Sequence, residues 1–356
     1  MSPVTAVMIV FSMLGALDRM LGNRFGLGKE FEKGFMLWGT MALSMIGMIV
    51  ISPFIAQVLE PVFGFIANTL HMDPSIVPAS LFANDMGGAP LSVAVALDEQ
   101  VGLFNALVVS SMMGCTVSFT IPYSLGAVEA RQHRELLLGL LCGIVTIPLG
   151  CFAAGLSMQM PLGALLMNLL PLVIFAVLIA AGLLLCPDKC VRIFSIVGTG
   201  IKILITIGLA LAVLRFLTGI EVLPGLATLE EGAAICLNAS AVMSGAFPLM
   251  YVVSRLLTKP LQRLGQRLGM SASSLMGVVS SLATCVTTCD MMKDMDKRGV
   301  LINSAFIVSG AFTFAGHLAF TMAFDAAWLM PMIVGKLTAG ALAILVAVPV
   351  SKRVIS

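Results

Sequence analysis

Residues 136–187 read LLLGLLCGIVTIPLGCFAAGLSMQMPLGALLMNLLPLVIFAVLIAAGLLLCP and contain no Asp, Glu, Lys or Arg. A membrane-crossing helix needs about 20 apolar residues in a row, so this run is long enough for two. The break between them falls at Ser157-Met158-Gln159-Met160-Pro161, with Pro161 placed to open the second helix. Working outward, further stretches with little or no charge lie at about 3–22, 34–58, 101–124, 194–217, 232–254, 300–323 and 328–350. With the two in the central run they predict nine membrane-spanning helices.

The composition agrees. Of the 356 residues, 59% are hydrophobic and 11% charged, against about 25% charged in ordinary soluble domains. Mean hydropathy is +1.06. The 20 Lys+Arg and 18 Asp+Glu are too few to cover a water-facing surface. This excludes a soluble enzyme, a nucleic-acid-binding protein and a disordered chain. The fold class is an all-α polytopic membrane protein. Residues 4–17 are apolar but lack a preceding basic segment and a following small-residue cleavage site, so they are expected to be the first span.

Residues 75–97 and 268–292 are ambiguous. The first holds Pro78, Asn84, Asp85, Gly87, Gly88 and Pro90; the second is rich in Ser and Thr. Either can span, or enter the membrane and return. The distribution of basic residues favours return. With both segments re-entrant, one face collects Arg24, Lys29 and Lys33, the pair Arg131 and Arg134, and the pair Lys189 and Arg192. It also collects the basic groups of 255–267 and 293–298, and Lys352 with Arg353. The loops of the other face hold acids such as Glu60, Asp73, Asp98 and Glu221, and no Lys or Arg. The basic face is expected to be cytoplasmic, with the N-terminus outside and the C-terminus inside.

The chain also carries a faint internal repeat. Shifted by 198 positions, Ser75 meets Ser273, Asp98 meets Asp296, Asn105 meets Asn303 and Ser111 meets Ser309. The register predicts a first repeat over 1–158, a linking transmembrane helix over 159–192, and a second repeat over 193–356. Five crossings precede the second repeat, so it is inverted relative to the first. Such repeats, broken at matching positions, point to a transport site near the membrane midplane.

Three groups of residues can carry chemistry there. In Asn84-Asp85-Met86-Gly87-Gly88-Ala89-Pro90, the glycines permit an unwound backbone. An acid at membrane depth must be paired, protonated or face a cavity, and a cationic substrate would be such a partner. The alternative is that Asp85 caps a short helix at an interfacial turn. In 273–288, Ser and Thr recur at helical spacing, which suits a wet path or close helix packing. Asp290 closes that segment. Isolated polar groups within spans form the third group: Asn105, Asn303, Asn238, Lys202, Lys336 and His317. His317 can titrate and carry protons. Lys336 lies too deep to reach the interface, and Asp18 or Asp85 can neutralise it. His71 and His133 fall in loops.

Enzyme signatures are weak. No P-loop is present. Cys186/Cys190 and Cys285/Cys289 lack the spacing of zinc or redox motifs, so neither a metal nor a cofactor is expected.

Several strings together resemble the EutH-type ethanolamine-utilization permease family. They are Gly15-x-x-Asp18-Arg19-x-x-Gly22-Asn23-x-x-Gly26-Leu27-Gly28, Ala83-Asn84-Asp85-Met86-Gly87-Gly88, Met292-Lys293-Asp294-Met295-Asp296-Lys297-Arg298-Gly299, and His317-Leu318-Ala319-Phe320-Thr321. The resemblance spans nearly the whole chain. It implies a permease of the bacterial inner membrane that admits ethanolamine for catabolism. Two positions depart from the family pattern: Ala89 stands where an aromatic residue is usual, and Gly316 where an acid is usual.

For that substrate, a small ammonium carrying one hydroxyl, Asp85 supplies charge and the backbone at Gly87 and Gly88 supplies carbonyl dipoles. Asn84, Asn105, Asn303 and Thr287 are candidates for the hydroxyl. Asp290 is a second candidate acid and His317 a candidate for proton coupling. Competing readings are a proton- or sodium-coupled permease for another small amine or amino acid, and a channel. Besides ethanolamine and the lipid bilayer, the sequence leaves a homo-oligomer open.

Overall fold

The computed structural model describes residues 3–70, 72–268 and 271–354, and His71 lies outside them. No strand occurs among the described residues. The order is α1 (Pro3–Met20), α2 (Leu27–Val58), α3 (Glu60–Leu70), α4 (Ile76–Leu81), a 3-10 turn at Asn84–Met86, and α5 (Gly88–Val95). There follow α6 (Glu99–Ala127), α7 (Ala130–Ser157), α8 (Leu162–Leu185) and α9 (Pro187–Thr218). The remainder is α10 (Leu229–Leu268), α11 (Ala272–Ser281), α12 (Cys285–Met291), α13 (Lys297–Gly310), α14 (Gly316–Phe324) and α15 (Leu329–Val354). Among the described residues, 8 continuous helical stretches are long and apolar enough to cross a membrane: α1, α2, α6, α7, α8, α9, α10 and α15. The protein is an all-α, multi-pass membrane protein. The break at 158–161 and the helix opened after Pro161 fall where the charge-free run places them.

The ninth expected span, 300–323, is interrupted. Helix α13 stops at Gly310, Ala311 is extended, and Phe312 takes a left-handed φ of 63° before α14 begins at Gly316. Tertiary pairing causes the break. Phe312 N–H donates to the Ser281 carbonyl at 3.0 Å and Phe314 N–H to the Leu282 carbonyl at 2.9 Å. Backbone groups that leave a helix at membrane depth must find partners in the protein, and these come from the end of α11.

Each ambiguous segment folds as two short helices packed on each other, α4 with α5 and α11 with α12. Six to ten residues reach about 9–15 Å at 1.5 Å per residue, well short of a hydrocarbon core of about 30 Å. The first tip leans on a long helix. Ser110 Oγ donates to the Phe82 carbonyl at 2.6 Å and Ala83 N–H donates to Ser118 Oγ at 3.1 Å, which ties the first tip to α6. The second tip meets the gap between α13 and α14.

Helix α6 is widened into π-helix at Asn105–Gly114 and Thr116–Thr120. Side chains of this stretch bind carbonyls: Thr116 Oγ1 donates to Met112 O and to Val308 O of α13, and Ser118 Oγ to Gly114 O.

Glycines set the crossings of the long helices. A Cβ at Gly47 of α2 would strike the Ile205 carbonyl of α9, and one at Gly245 of α10 would strike the Met8 carbonyl of α1. Without side chains there, backbones approach closely, as membrane helices require for dispersion contact. At the corner between α1 and α2, the buried carboxylate of Asp18 accepts from Phe25 N–H and Gly28 N–H, both at 2.9 Å. The glycine- and acid-rich string at 15–28 is therefore a folded corner. Asp18 is engaged there and does not neutralise Lys336.

Candidate functional site

The first hairpin turns over residues 82–88. Ala83 is extended, Asn84–Met86 form one 3-10 turn, and Gly87 adopts a φ of 103°. A Cβ at Gly87 would collide with Met48, and one at Gly88 with Ser110 Oγ and the Phe82 carbonyl. Glycine is required at Gly87 by both conformation and space, and the two glycines seat the hairpin between α2 and α6.

This geometry presents Asp85 at the tip. Its side chain is only partly buried, and no other described residue donates a hydrogen bond to its carboxylate. The tip packs against α14. A methyl placed on Gly316 would lie 3.9 Å from Asp85 Oδ2, so the start of α14 passes alongside the carboxylate. The next residue, His317, is buried, and its Nδ1 has no hydrogen-bond partner. Its ring centroid lies 5.2 Å from that of Phe312. Phe312 meets Phe119 edge-on at 5.8 Å, and Phe119 stacks on Tyr123 at 5.3 Å. The end of α6 that carries Tyr123 packs against α12, which carries Asp290. An aromatic series thus runs from the exposed Asp290 inward to His317 and Asp85.

Lys336 of α15 reaches α6 beside the hairpin. It is 1% exposed, and its Nζ donates to the Ser111 carbonyl at 2.7 Å within the π-helical part of α6. Among the described residues it is the only Lys or Arg that is fully buried. Ser110, next to its acceptor, donates to the Phe82 carbonyl, so Lys336 and the hairpin tip of Asp85 bind neighbouring residues of α6. Lys336 and Asp85 nevertheless form no ion pair.

The hairpin and the broken α13–α14 segment carry buried polar atoms without partners. Both ends of the Asn84 amide are unbonded, as are the hydroxyls of Ser92, Ser309 and Thr321. Buried polar atoms are normally bonded, so the Asn84 amide at the tip is free to receive a polar partner.

Of the residues expected from sequence, the structure brings Asn84, Asp85, Gly87, Gly88 and His317 to this centre. It keeps Asn105 and Asn303 at the feet of the hairpins. Asn105 Nδ2 donates to Ser75 Oγ at 2.8 Å and to Asn168 Oδ1 at 2.9 Å, while Asn168 Nδ2 donates to Asn105 Oδ1 at 2.7 Å. Asn303 Nδ2 donates to the carbonyls of Ser274 and Gly299. Thr287 and Asp290 are exposed on α12. The Ser/Thr stripe is largely engaged in backbone contacts. Ser281 Oγ donates to Val278 O and Thr288 Oγ1 to Gly277 O, while Thr284 caps α12. These three hydroxyls are bonded within the second hairpin.

Phe312, Phe119 and Tyr123 were not singled out from sequence. Only the string Phe312-Thr313-Phe314, aromatic on both sides of a threonine near an expected span centre, hints at them.

The profile of the family described as "Ethanolamine utilisation protein, EutH" matches residues 2–350. The chain belongs to the EutH family. It is 40% identical to the "Probable ethanolamine permease EutH" of Listeria monocytogenes serotype 1/2a (strain 10403S) over 347 residues, covering 98% of this chain and 93% of the relative. It is 38% identical to the protein of the same name from Escherichia coli (strain K12), covering 96% and 93% of the two chains. It is 36% identical to "Uncharacterized protein YxeR" of Bacillus subtilis (strain 168), covering 95% and 91%. No solved structure matches the chain. The EutH match includes both hairpins, the broken α13–α14 segment and Lys336.

Proposed function

We propose that this chain is a permease admitting ethanolamine, as its ammonium ion, into the bacterial cytoplasm across the inner membrane. The observation that carries the reading is Asp85, a partly accessible carboxylate at a hairpin tip in a membrane protein, receiving no hydrogen bond from another described residue. An acid held at membrane depth without a partner is costly and marks a substrate or ion path. A small ammonium supplies the missing charge. The Asn84 amide, unbonded at both ends, can serve the hydroxyl, and Phe312 provides the aromatic face that Ala89 does not. Membership of the EutH family agrees with this substrate.

The reading includes two inverted halves, 1–158 and 193–356, joined by α8, with the N-terminus outside and the C-terminus cytoplasmic. Supporting it, Asp98 caps α6 by accepting from Val101 N–H, and Asp296 caps α13 by accepting from Gly299 N–H, the same contact 198 positions later. Gly47 and Gly245 keep the same shift and make matching close contacts with α9 and α1. Two halves of opposite orientation meeting at broken elements suit alternating access around a fixed site.

Counterflow in proteoliposomes tests the function. Vesicles of purified protein preloaded with unlabelled ethanolamine should transiently accumulate labelled ethanolamine, saturably. A linear, unsaturable flux would mean a channel, and no flux would remove the permease reading.

A further inference from the structure

The proposed site contains a second ion for which substrate binding alone has no use. Lys336 places an ammonium in the protein interior with one neutral acceptor, the Ser111 carbonyl. An ammonium has three donors. Burying it with so few partners is costly unless an anion is close. The nearest acid by chain placement is Asp85: Ser110, adjoining the Ser111 that Lys336 holds, donates to the Phe82 carbonyl at the hairpin tip that carries Asp85. Asp85 likewise has unused acceptor capacity. Two opposite charges therefore face the same interior region, each incompletely bonded and not in contact.

We propose that Lys336 is the resident counter-ion of Asp85 in the substrate-free transport cycle, and that an incoming primary ammonium takes its place on the carboxylate while Lys336 withdraws to the Ser111 carbonyl. The inference rests on the reading of Asp85 as the substrate acid. In the structure Lys336 bonds the Ser111 carbonyl and makes no ion pair with Asp85, the side-chain placement the proposal assigns to the loaded step. Two features make the exchange physically reasonable. Lys336 carries the same functional group as the substrate, on a flexible four-carbon stem. Its resting place lies in a π-helical stretch, where helical geometry is loosened and functional sites recur.

The consequence is a coupling of charge to conformational change. An empty carrier must reorient with Asp85 neutralised, because a bare carboxylate in a low-dielectric interior is strongly disfavoured. Lys336 performs that neutralisation on the return step, whereas the substrate performs it on the loaded step. Lys336 also competes with substrate, so the apparent affinity is reduced by the fraction of carriers in which it holds Asp85.

The test compares net uptake with ethanolamine exchange in proteoliposomes of the wild-type protein and of Lys336→Met. Exchange needs only loaded crossings, whereas net uptake needs the empty return. In Lys336→Met the ratio of net uptake to exchange should fall at least about tenfold, and the half-saturation concentration should fall as competition is removed. A ratio equal to that of wild type overturns the proposal, since a packing role would lower both fluxes together. Should Lys336→Met be poorly folded, thermal unfolding of Asp85→Asn, Lys336→Met and the double variant decides. The double variant should be more stable than Lys336→Met alone, because it leaves no unpaired interior charge. Strict additivity of the two single effects would overturn the pairing. Absence of ethanolamine exchange in the wild-type protein would instead remove the permease reading, and the unfolding comparison would still report on the Asp85–Lys336 pair.

Discussion

Lys336 donates from the interior of α15 to the carbonyl of Ser111 at 2.7 Å, joining the last long helix to the π-helical segment of α6. That bond places a cation beside the hairpin carrying Asp85 without closing an ion pair. The surrounding framework holds two short hairpins against long helices, so changes to the framework and to the site have separable effects.

The first hairpin tip should be intolerant at one glycine and tolerant at its neighbour across the site. Gly87→Ala forces a side chain into a left-handed backbone and into Met48. It should cost about 1–3 kcal/mol and lower the thermal unfolding temperature in detergent. In Gly316→Ala the added methyl lies 3.9 Å from Asp85, an ordinary contact. Its stability should stay within about 0.5 kcal/mol of wild type.

Asn105 and Asn168 exchange two hydrogen bonds in the interior, with Ser75 as a third member. Asn105→Ala leaves the Asn168 amide unpaired and should destabilise by about 1–3 kcal/mol. Asn105→Leu/Asn168→Leu should cost less than the sum of its single variants, since no buried amide is left without a partner. Unfolding midpoints of the four proteins check this.

Asp296 clamps the second hairpin. It accepts from Ser271 N–H, Ser274 Oγ and Gly299 N–H at the turn before α13. Burial raises its pKa, but these hydrogen bonds outweigh that effect and hold the carboxyl below its ordinary value. A depressed folded-state pKa stabilises the protein above the unfolded value of 3.8, and the benefit is lost as pH falls through the folded value. Stability against pH should therefore decline more steeply below about pH 4 in wild type than in Asp296→Asn.

Asp85 and Lys336 were legible in the sequence because a charge in an apolar stretch stands out. The hairpins were legible because glycine, proline and the placement of basic loops argue against simple crossings. The interruption of 300–323 was not. Ala311 to Ala315 carries no proline or glycine, and the break depends on pairing with Ser281 and Leu282, which are distant in sequence. The same holds for Phe312: its left-handed backbone and its place beside His317 follow from that pairing. Asn105 and Asn303 were legible as buried polar groups, but polarity alone does not distinguish a substrate contact from a structural bond. Thr287 shares a face with other hydroxyls in the repeat pattern, whereas the chain turns at 282–284, which leaves Thr287 exposed and buries Thr288.

The central claim is that the Asp85 carboxylate binds the substrate ammonium. Its most direct test is saturable ethanolamine uptake by proteoliposomes of Asp85→Asn, beside wild type, with equal amounts of folded protein. The account predicts loss of saturable uptake in Asp85→Asn while its unfolding temperature remains measurable. Uptake by Asp85→Asn with wild-type half-saturation and maximal rate would contradict it.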